Sequence, residues 1–234
     1  MKKVSIITRA YNKLEYTIRC IESVARHTKY QNYEHIIINN NSSDGTKEWL
    51  TWMDQNGLAY YDHLRVFNMD KNYGDWGGMI KSLDLVAEDS EYIVQMDNDI
   101  EILDPEWIEK MMLVLDTTPV NIIQLKRIGM YRAIVPMNPE EIDFNGIKLH
   151  YGWSPAKRPV AFFMLKTQDF KDAKSKLPLD LGQGKTILSR LLGGTYKFSD
   201  VGCNMIDGYY PPSGKNFFQH KYPIDKTYQN INQL

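Results

Sequence analysis

Val4-Ser5-Ile6-Ile7-Thr8-Arg9-Ala10-Tyr11-Asn12 starts as a compact apolar run and ends in polar residues that favour a turn. Leu14 to His27 then sets Leu14, Ile18, Ile21, Val24 and Ala25 at helical spacing, so the pair reads as a strand followed by a helix. The same alternation continues. His35-Ile36-Ile37-Ile38 is a second strand, stopped by Asn39-Asn40-Asn41-Ser42-Ser43-Asp44-Gly45, and Thr46 to Met53 a second helix. Leu64 to Phe67 is a third strand, Gly77 to Ala87 a third helix, and Tyr92 to Met96 a fourth strand. Asp104-Pro105-Glu106 opens a helix to Leu115, with Asp as N-cap and Pro in the first turn, and Val120 to Leu125 is a fifth strand. Strands separated by helices of this length form βαβ units, hence an α/β fold with a mostly parallel sheet covered on both faces.

The rhythm changes after Lys126. Residues 126 to 158 mix Gly, Pro, Asn and aromatics without a sustained period. Val160 to Leu165 returns to strand, Thr167 to Ala173 and Thr186 to Leu192 read as helices, and Tyr196 to Phe198 as a strand. Beyond Asp207 the chain is Pro-, Gly- and Asn-rich, an arm in character. The expectation is one compact unit with two functional halves, residues 1–125 and 126–234.

Composition narrows the function. Twenty-eight basic and 29 acidic residues leave a formal charge of -1, so no global positive field exists to displace phosphate counterions, and wholesale nucleic-acid binding is set aside. Two cysteines, Cys20 and Cys203, are too few for a disulfide framework and lack zinc spacing, which reads as buried thiols of a cytoplasmic protein. No apolar run approaches the ~20 residues of a membrane helix. A soluble chain is expected, with contact at a membrane surface left open.

Ligands of open α/β sheets bind beyond the carboxyl ends of the strands. Those ends carry, in order, Arg9-Ala10-Tyr11-Asn12, the asparagine run to Thr46, Asn68 to Gly78, and Asp97-Asn98-Asp99. Such residues populate turns anyway, yet four successive polar ends suit a polar, phosphorylated ligand. Asp97 and Asp99 leave an apolar strand into a turn two residues apart. Like charges so close repel unless a cation offsets them, and oxygen-only ligands suit Mg²⁺ or Mn²⁺, completed by a ligand's diphosphate. Asp75-Trp76-Gly77-Gly78 lacks the GxGxxG spacing of a dinucleotide fingerprint.

As an ordered set, Val4 to Asn12, Ile36 to Thr46, Asn72-Tyr73-Gly74 and Asp97-Asn98-Asp99 resemble the family 2 glycosyltransferases of the GT-A fold. The resemblance covers about residues 3 to 115. It returns more faintly at Val160 to Leu165 and at Ser189 to Phe198, which is similar to that family's "R…GYK" segment. It implies a Rossmann-like sheet with a smaller mixed acceptor-side region, and inverting transfer of a sugar from a nucleoside-diphosphate donor, a UDP- or GDP-sugar, to a glycan hydroxyl. Thr8, Arg9 and Asn12 would lie along the nucleotide, with Asn72 and Gly74 near ribose and diphosphate. Asn39 stands where the family usually has an Asp that hydrogen-bonds the base. Asp97, with Asn98 beside it, would face the ribose or donor sugar, and Asp99 would hold the metal with Asp97. The acidic pair that the family carries before the helix ending at Arg190 falls where this chain has Gln183-Gly184, which leaves Asp180 as the nearest candidate base or as a loop cap. The family's late metal-binding His has two counterparts here, His220 by residue type and Asp207 by distance. Trp153 reads either as a stacking platform for an acceptor sugar or as the anchor of a Gly/Pro-rich loop. A sugar nucleotidyltransferase would need glycines after the first strand, which Arg9 to Asn12 lacks. A non-catalytic binding module on the same scaffold stays open.

Overall fold

Ile6 and Ile7 are neighbours in the chain and belong to two different cores. Both lie on β1 (Lys3–Ala10), where successive side chains point to opposite faces of the sheet. The computed structural model describes residues 1–56, 61–128, 136–154, 161–174, 176–177 and 184–205. Within them β1 is followed by α1 (Leu14–His27), β2 (Tyr33–Asn39), α2 (Thr46–Asn56), β3 (Leu64–Asn68), α3 (Gly74–Ser82) and β4 (Ser90–Asp97). Then come β5 (Ile100–Ile102), α4 (Trp107–Thr117), β6 (Ile123–Ile128), β7 (Met137–Phe144) and β8 (Ile147–Trp153). The order closes with β9 (Phe162–Lys166), α5 (Thr167–Lys174), α6 (Gly184–Leu191) and β10 (Tyr196–Met205).

One sheet runs β3-β2-β1-β4-β9-β6-β10-β8-β7, with β5 paired to β10. The first four strands are parallel, as the βαβ rhythm requires. β9 is antiparallel to both β4 and β6, and β7, β8 and β5 pair antiparallel too, so the sheet as a whole is mixed. Helices α1, α2 and α4 cover one face, where Cys20, Ile21, Leu50, Met53, Trp107 and Met111 meet Val4, Ile6 and Val94. Helices α3, α5 and α6 cover the other, where Trp76, Met79, Phe170 and Leu188 meet Ile7, Ile36 and Ile38. Cys20 and Cys203 are buried, unpaired thiols; burial raises both, Cys203 to about 12.

Residues 126 to 158, which show no period in the sequence, contain a β-hairpin. β7 is solvent-exposed along most of its length, so no apolar alternation marks it. The turn is Asn145-Gly146, with φ of 54° and 82°, the left-handed pair that a two-residue hairpin loop demands. β5 is equally unannounced, being three residues long behind the two-residue Asn98-Asp99 turn.

Candidate active site

Chain order reverses at β1. Helix α1 carries the chain to β2 on one side, whereas β4 arrives on the other. A sheet of this kind opens a crevice at such a switch point, and here the register sets Arg9, near the end of β1, directly beside Asp97 at the end of β4. Arg9 is 7% exposed. Its Nη1 donates to Gln95 Oε1 at 3.0 Å and its Nη2 to Asp97 Oδ1 at 2.5 Å. The same Nη2 lies 2.7 Å from Asp75 Oδ1 in the first turn of α3, and Asp75 Oδ2 lies 2.7 Å from Lys185 Nζ on α6. Positive and negative groups thus alternate from α6 through α3 and β1 to Asp97. Gly78 lies against this chain, where a Cβ would stand 3.4 Å from Arg9 Cδ, within ordinary contact.

Carboxamides knit the loops at the same rim. Asn40 Nδ2 donates to Asn72 Oδ1 at 2.6 Å and to the Gly74 carbonyl at 3.2 Å, while Asn40 Oδ1 accepts from the Tyr73 N–H at 2.9 Å. Asn72 Oδ1 also accepts from the Gly74 N–H at 2.8 Å, which fixes the start of α3. Asn39 is fully buried; its Nδ2 donates to Asn68 Oδ1 at 2.7 Å and its Oδ1 accepts from the Ser42 N–H at 3.0 Å. Asn12, held at φ 54°, accepts from the Ser43 N–H at 2.9 Å. Asn39, Asn72, Gly74 and Asn12 are therefore gathered as framing groups, with Asn40 as an unforeseen hub.

Two of the expected donor-site residues turn their side chains into the fold. Strand alternation turns the Thr8 side chain to the face opposite Arg9. It is fully buried, and its hydroxyl bonds His35 Nε2 at 2.8 Å, while His35 Nδ1 meets the Tyr61 hydroxyl at 2.6 Å. Burial pulls the His35 imidazole down to about 3, so it is neutral. Asn98 is 2% exposed and its amide donates to the Asn12 carbonyl at 3.0 Å and to Thr17 Oγ1 at 2.9 Å. It ties the acidic turn to the head of α1 and is spent on positioning.

Asp97 and Asp99 flank that turn. The Asp97 side chain is 27% exposed and Asp99 is 1% exposed, with both carboxylate oxygens buried. Two hard oxygen groups fit Mg²⁺ or Mn²⁺ that draws its remaining ligands from water and phosphate. Among the described residues no third His, Cys, Asp or Glu joins them. Asp180, Asp207 and His220 lie outside the described residues. Trp153 ends β8, 42% exposed, with its indole Nε1 3.0 Å from where a Cβ of Gly194 would stand. Sequence reasoning did not single out Asp75, Lys185, Arg127 or Lys197. Arg127 is 7% exposed; burial works against its charge, and Asp97 and Asp99 are among the groups that support it. Burial, reinforced by the nearby Arg127 charge, pulls Lys197 down to about 8.

Residues 5–170 match the model of glycosyl transferase family 2. The chain belongs to that family. A glycosyltransferase of uncharacterized function from Rickettsia bellii is 31% identical over 97 residues, and the teichoic acid poly(glycerol phosphate) polymerase of Staphylococcus epidermidis 29% identical over 102. These stretches are 42% and 44% of this chain and 13% of each relative, so the chain spans a small part of their length. Among solved structures, S. aureus TarS 1-349 superposes with a TM-score of 0.64 at 17% identity, over 88% of this chain and 61% of that one. The Pyrobaculum calidifontis mannosyltransferase PcManGT, in complex with GDP-Man and Mn²⁺, gives 0.62 at 12% identity over 90% and 58%. TarS 1-349 has also been solved with UDP-GlcNAc. At these identities the likeness establishes the GT-A fold. Among the described residues no helix is long and apolar enough to cross a membrane.

Proposed function

We propose that this family 2 chain transfers a glycosyl group from a nucleoside-diphosphate sugar to a hydroxyl of a glycan acceptor, with inversion, and that it uses Mn²⁺ or Mg²⁺. The observation that carries the reading is the Arg9–Asp97 pair at the switch point, with Asp99 two residues further in the turn that follows and amide-knit loops around them. The donor complexes of TarS and PcManGT, the latter with Mn²⁺, support it.

In this reading Asp97 and Asp99 hold the cation, which when bound stabilises negative charge on the departing nucleoside diphosphate. Arg9 fixes the direction of the Asp97 carboxylate through a charge-assisted hydrogen bond. The Asn12, Asn39, Asn40 and Asn72 carboxamides hold the surrounding loops, so binding the donor does not first require ordering them. Asp180 receives the acceptor's proton on the face opposite the leaving group as the anomeric carbon gains oxocarbenium character. Trp153 stacks on the acceptor sugar. A cytoplasmic setting and a capsule, lipopolysaccharide or glycoprotein acceptor complete the proposal.

Screening UDP- and GDP-sugars with and without Mn²⁺ for a rise in melting temperature tests donor binding, since a ligand selective for the folded state stabilises it. Asp99→Ala is the control that should lose the Mn²⁺-dependent part and all turnover. Nucleotide binding without turnover at any acceptor would leave a binding module. No shift with any donor would remove the proposal.

A further inference from the structure

Arg127 is the second buried cation beside the acidic turn, and it differs from Arg9 in what it touches. It is 7% exposed, yet its Nε–H is buried with no hydrogen-bond partner. Among the described residues no carboxylate comes within 4 Å of it. β6 register sets it against Cys203 on β10, and Cys203 in turn pairs with Ile102 on β5, the strand entered through Asp99. Asp97 and Asp99 are within electrostatic reach of the guanidinium, but Asp97 is already held by Arg9. Desolvating a guanidinium is costly unless it is paired.

We propose that Arg127 is a binding residue for a phosphate oxyanion entering beside Asp97 and Asp99, its buried N–H and guanidinium edge receiving an oxygen that no described residue supplies. Phosphate fits because a planar guanidinium pairs with it through parallel, charge-assisted hydrogen bonds. The oxyanion comes either from the diphosphate of the donor or from a phosphate on the acceptor. The inference deepens the transferase reading and rests on it for the identity of the ligand, though not for the presence of the site.

The test compares full-length wild type with Arg127→Gln and Arg127→Lys by calorimetric titration in Mn²⁺. The probes are inorganic pyrophosphate, UDP, GDP and sn-glycerol 3-phosphate, with uridine and guanosine followed by ligand-detected NMR. The Gln variant should bind the phosphate probes about 10- to 100-fold more weakly, while nucleoside binding stays unchanged, as for loss of one charge-assisted contact. The Lys variant should recover part of the affinity, which a purely structural role would not give, and it serves alone should the Gln variant unfold. Loss on pyrophosphate, UDP and GDP assigns the oxyanion to the donor; loss confined to glycerol phosphate assigns it to the acceptor. Phosphate affinities within twofold of wild type in a folded Gln variant, or wild type binding none of these probes, would overturn the proposal. Should nucleotide sugars bind and turn over equally in wild type and variant, this inference fails and the transferase reading stands. Should pyrophosphate bind through Arg127 while no nucleotide sugar binds, the outcome is reversed.

Discussion

Replacing Arg9 by Met removes three interactions whose surroundings differ, and the cost can be worked from each. Gln95 Oε1 is fully buried and loses its guanidinium donor, which leaves an unsatisfied acceptor worth about 1–3 kcal/mol. Asp97 is 27% exposed, so water recovers part of a charge-assisted bond worth about 1.5–3 kcal/mol. Asp75 is 54% exposed and adds at most about 1 kcal/mol. The sum is about 3–5 kcal/mol, the range for breaking a buried pair from one side. For a chain of this size that is roughly 6–20 °C in melting temperature. The informative assay is a double-mutant cycle by urea denaturation with Asp97→Asn. Once Arg9 is gone, neutralising Asp97 should cost less than it does in wild type, a coupling of about 1–3 kcal/mol. Additivity within about 0.5 kcal/mol would refute the claim that Arg9 is what holds Asp97.

His35 is held at about 3 in the fold, below its ordinary value near 6.5. The unfolded chain therefore binds the extra proton between those values, and stability, complete above pH 6.5, should fall by up to about 1.4 kcal/mol per pH unit towards pH 3. Denaturation midpoints at stepped pH check this, and His35→Gln should flatten the slope. Gly152→Ala would set a Cβ 2.6 Å from the Met137 carbonyl oxygen and should destabilise the β7–β8 hairpin by about 1–3 kcal/mol, read as a lower melting temperature. Trp153→Ala should raise the acceptor KM about 3- to 10-fold while leaving donor affinity unchanged; equal loss on both would refute the stacking role.

The helix Leu14–His27 is legible to the residue because its apolar positions recur with the turn of the helix. The parallel strands β1, β2 and β4 are legible because burial on both faces favours apolar runs, whereas β3 is half-exposed and shows only a short one. β7 escapes because an exposed edge needs no apolar face, and only Asn145-Gly146 betrays the hairpin. At the site, the acidic turn and the asparagine loops could be placed at one rim from strand order alone. The Arg9–Asp97 contact joins residues 88 apart in the chain, and register is a property of the folded sheet. Thr8 illustrates how adjacency misleads: a residue next to Arg9 in sequence is across the sheet from it in space. Asp75, Lys185 and Arg127 carry no local signal, since each gains meaning from a neighbour more than 60 residues, or a different strand, away.

β9 has a consequence for how the molecule comes into being. The outer edge of β4, with Tyr92, Ile93, Val94 and Met96, is closed by Phe162 to Lys166, some seventy residues downstream. A ribosome delivering this chain releases the four parallel strands well before their closing partner exists. Until it arrives, β4 offers an apolar border with open backbone groups, the feature on which strands of separate molecules adhere. Synthesis speed and chaperone capture over that interval, more than any property of the finished protein, should govern how much of it reaches the native state.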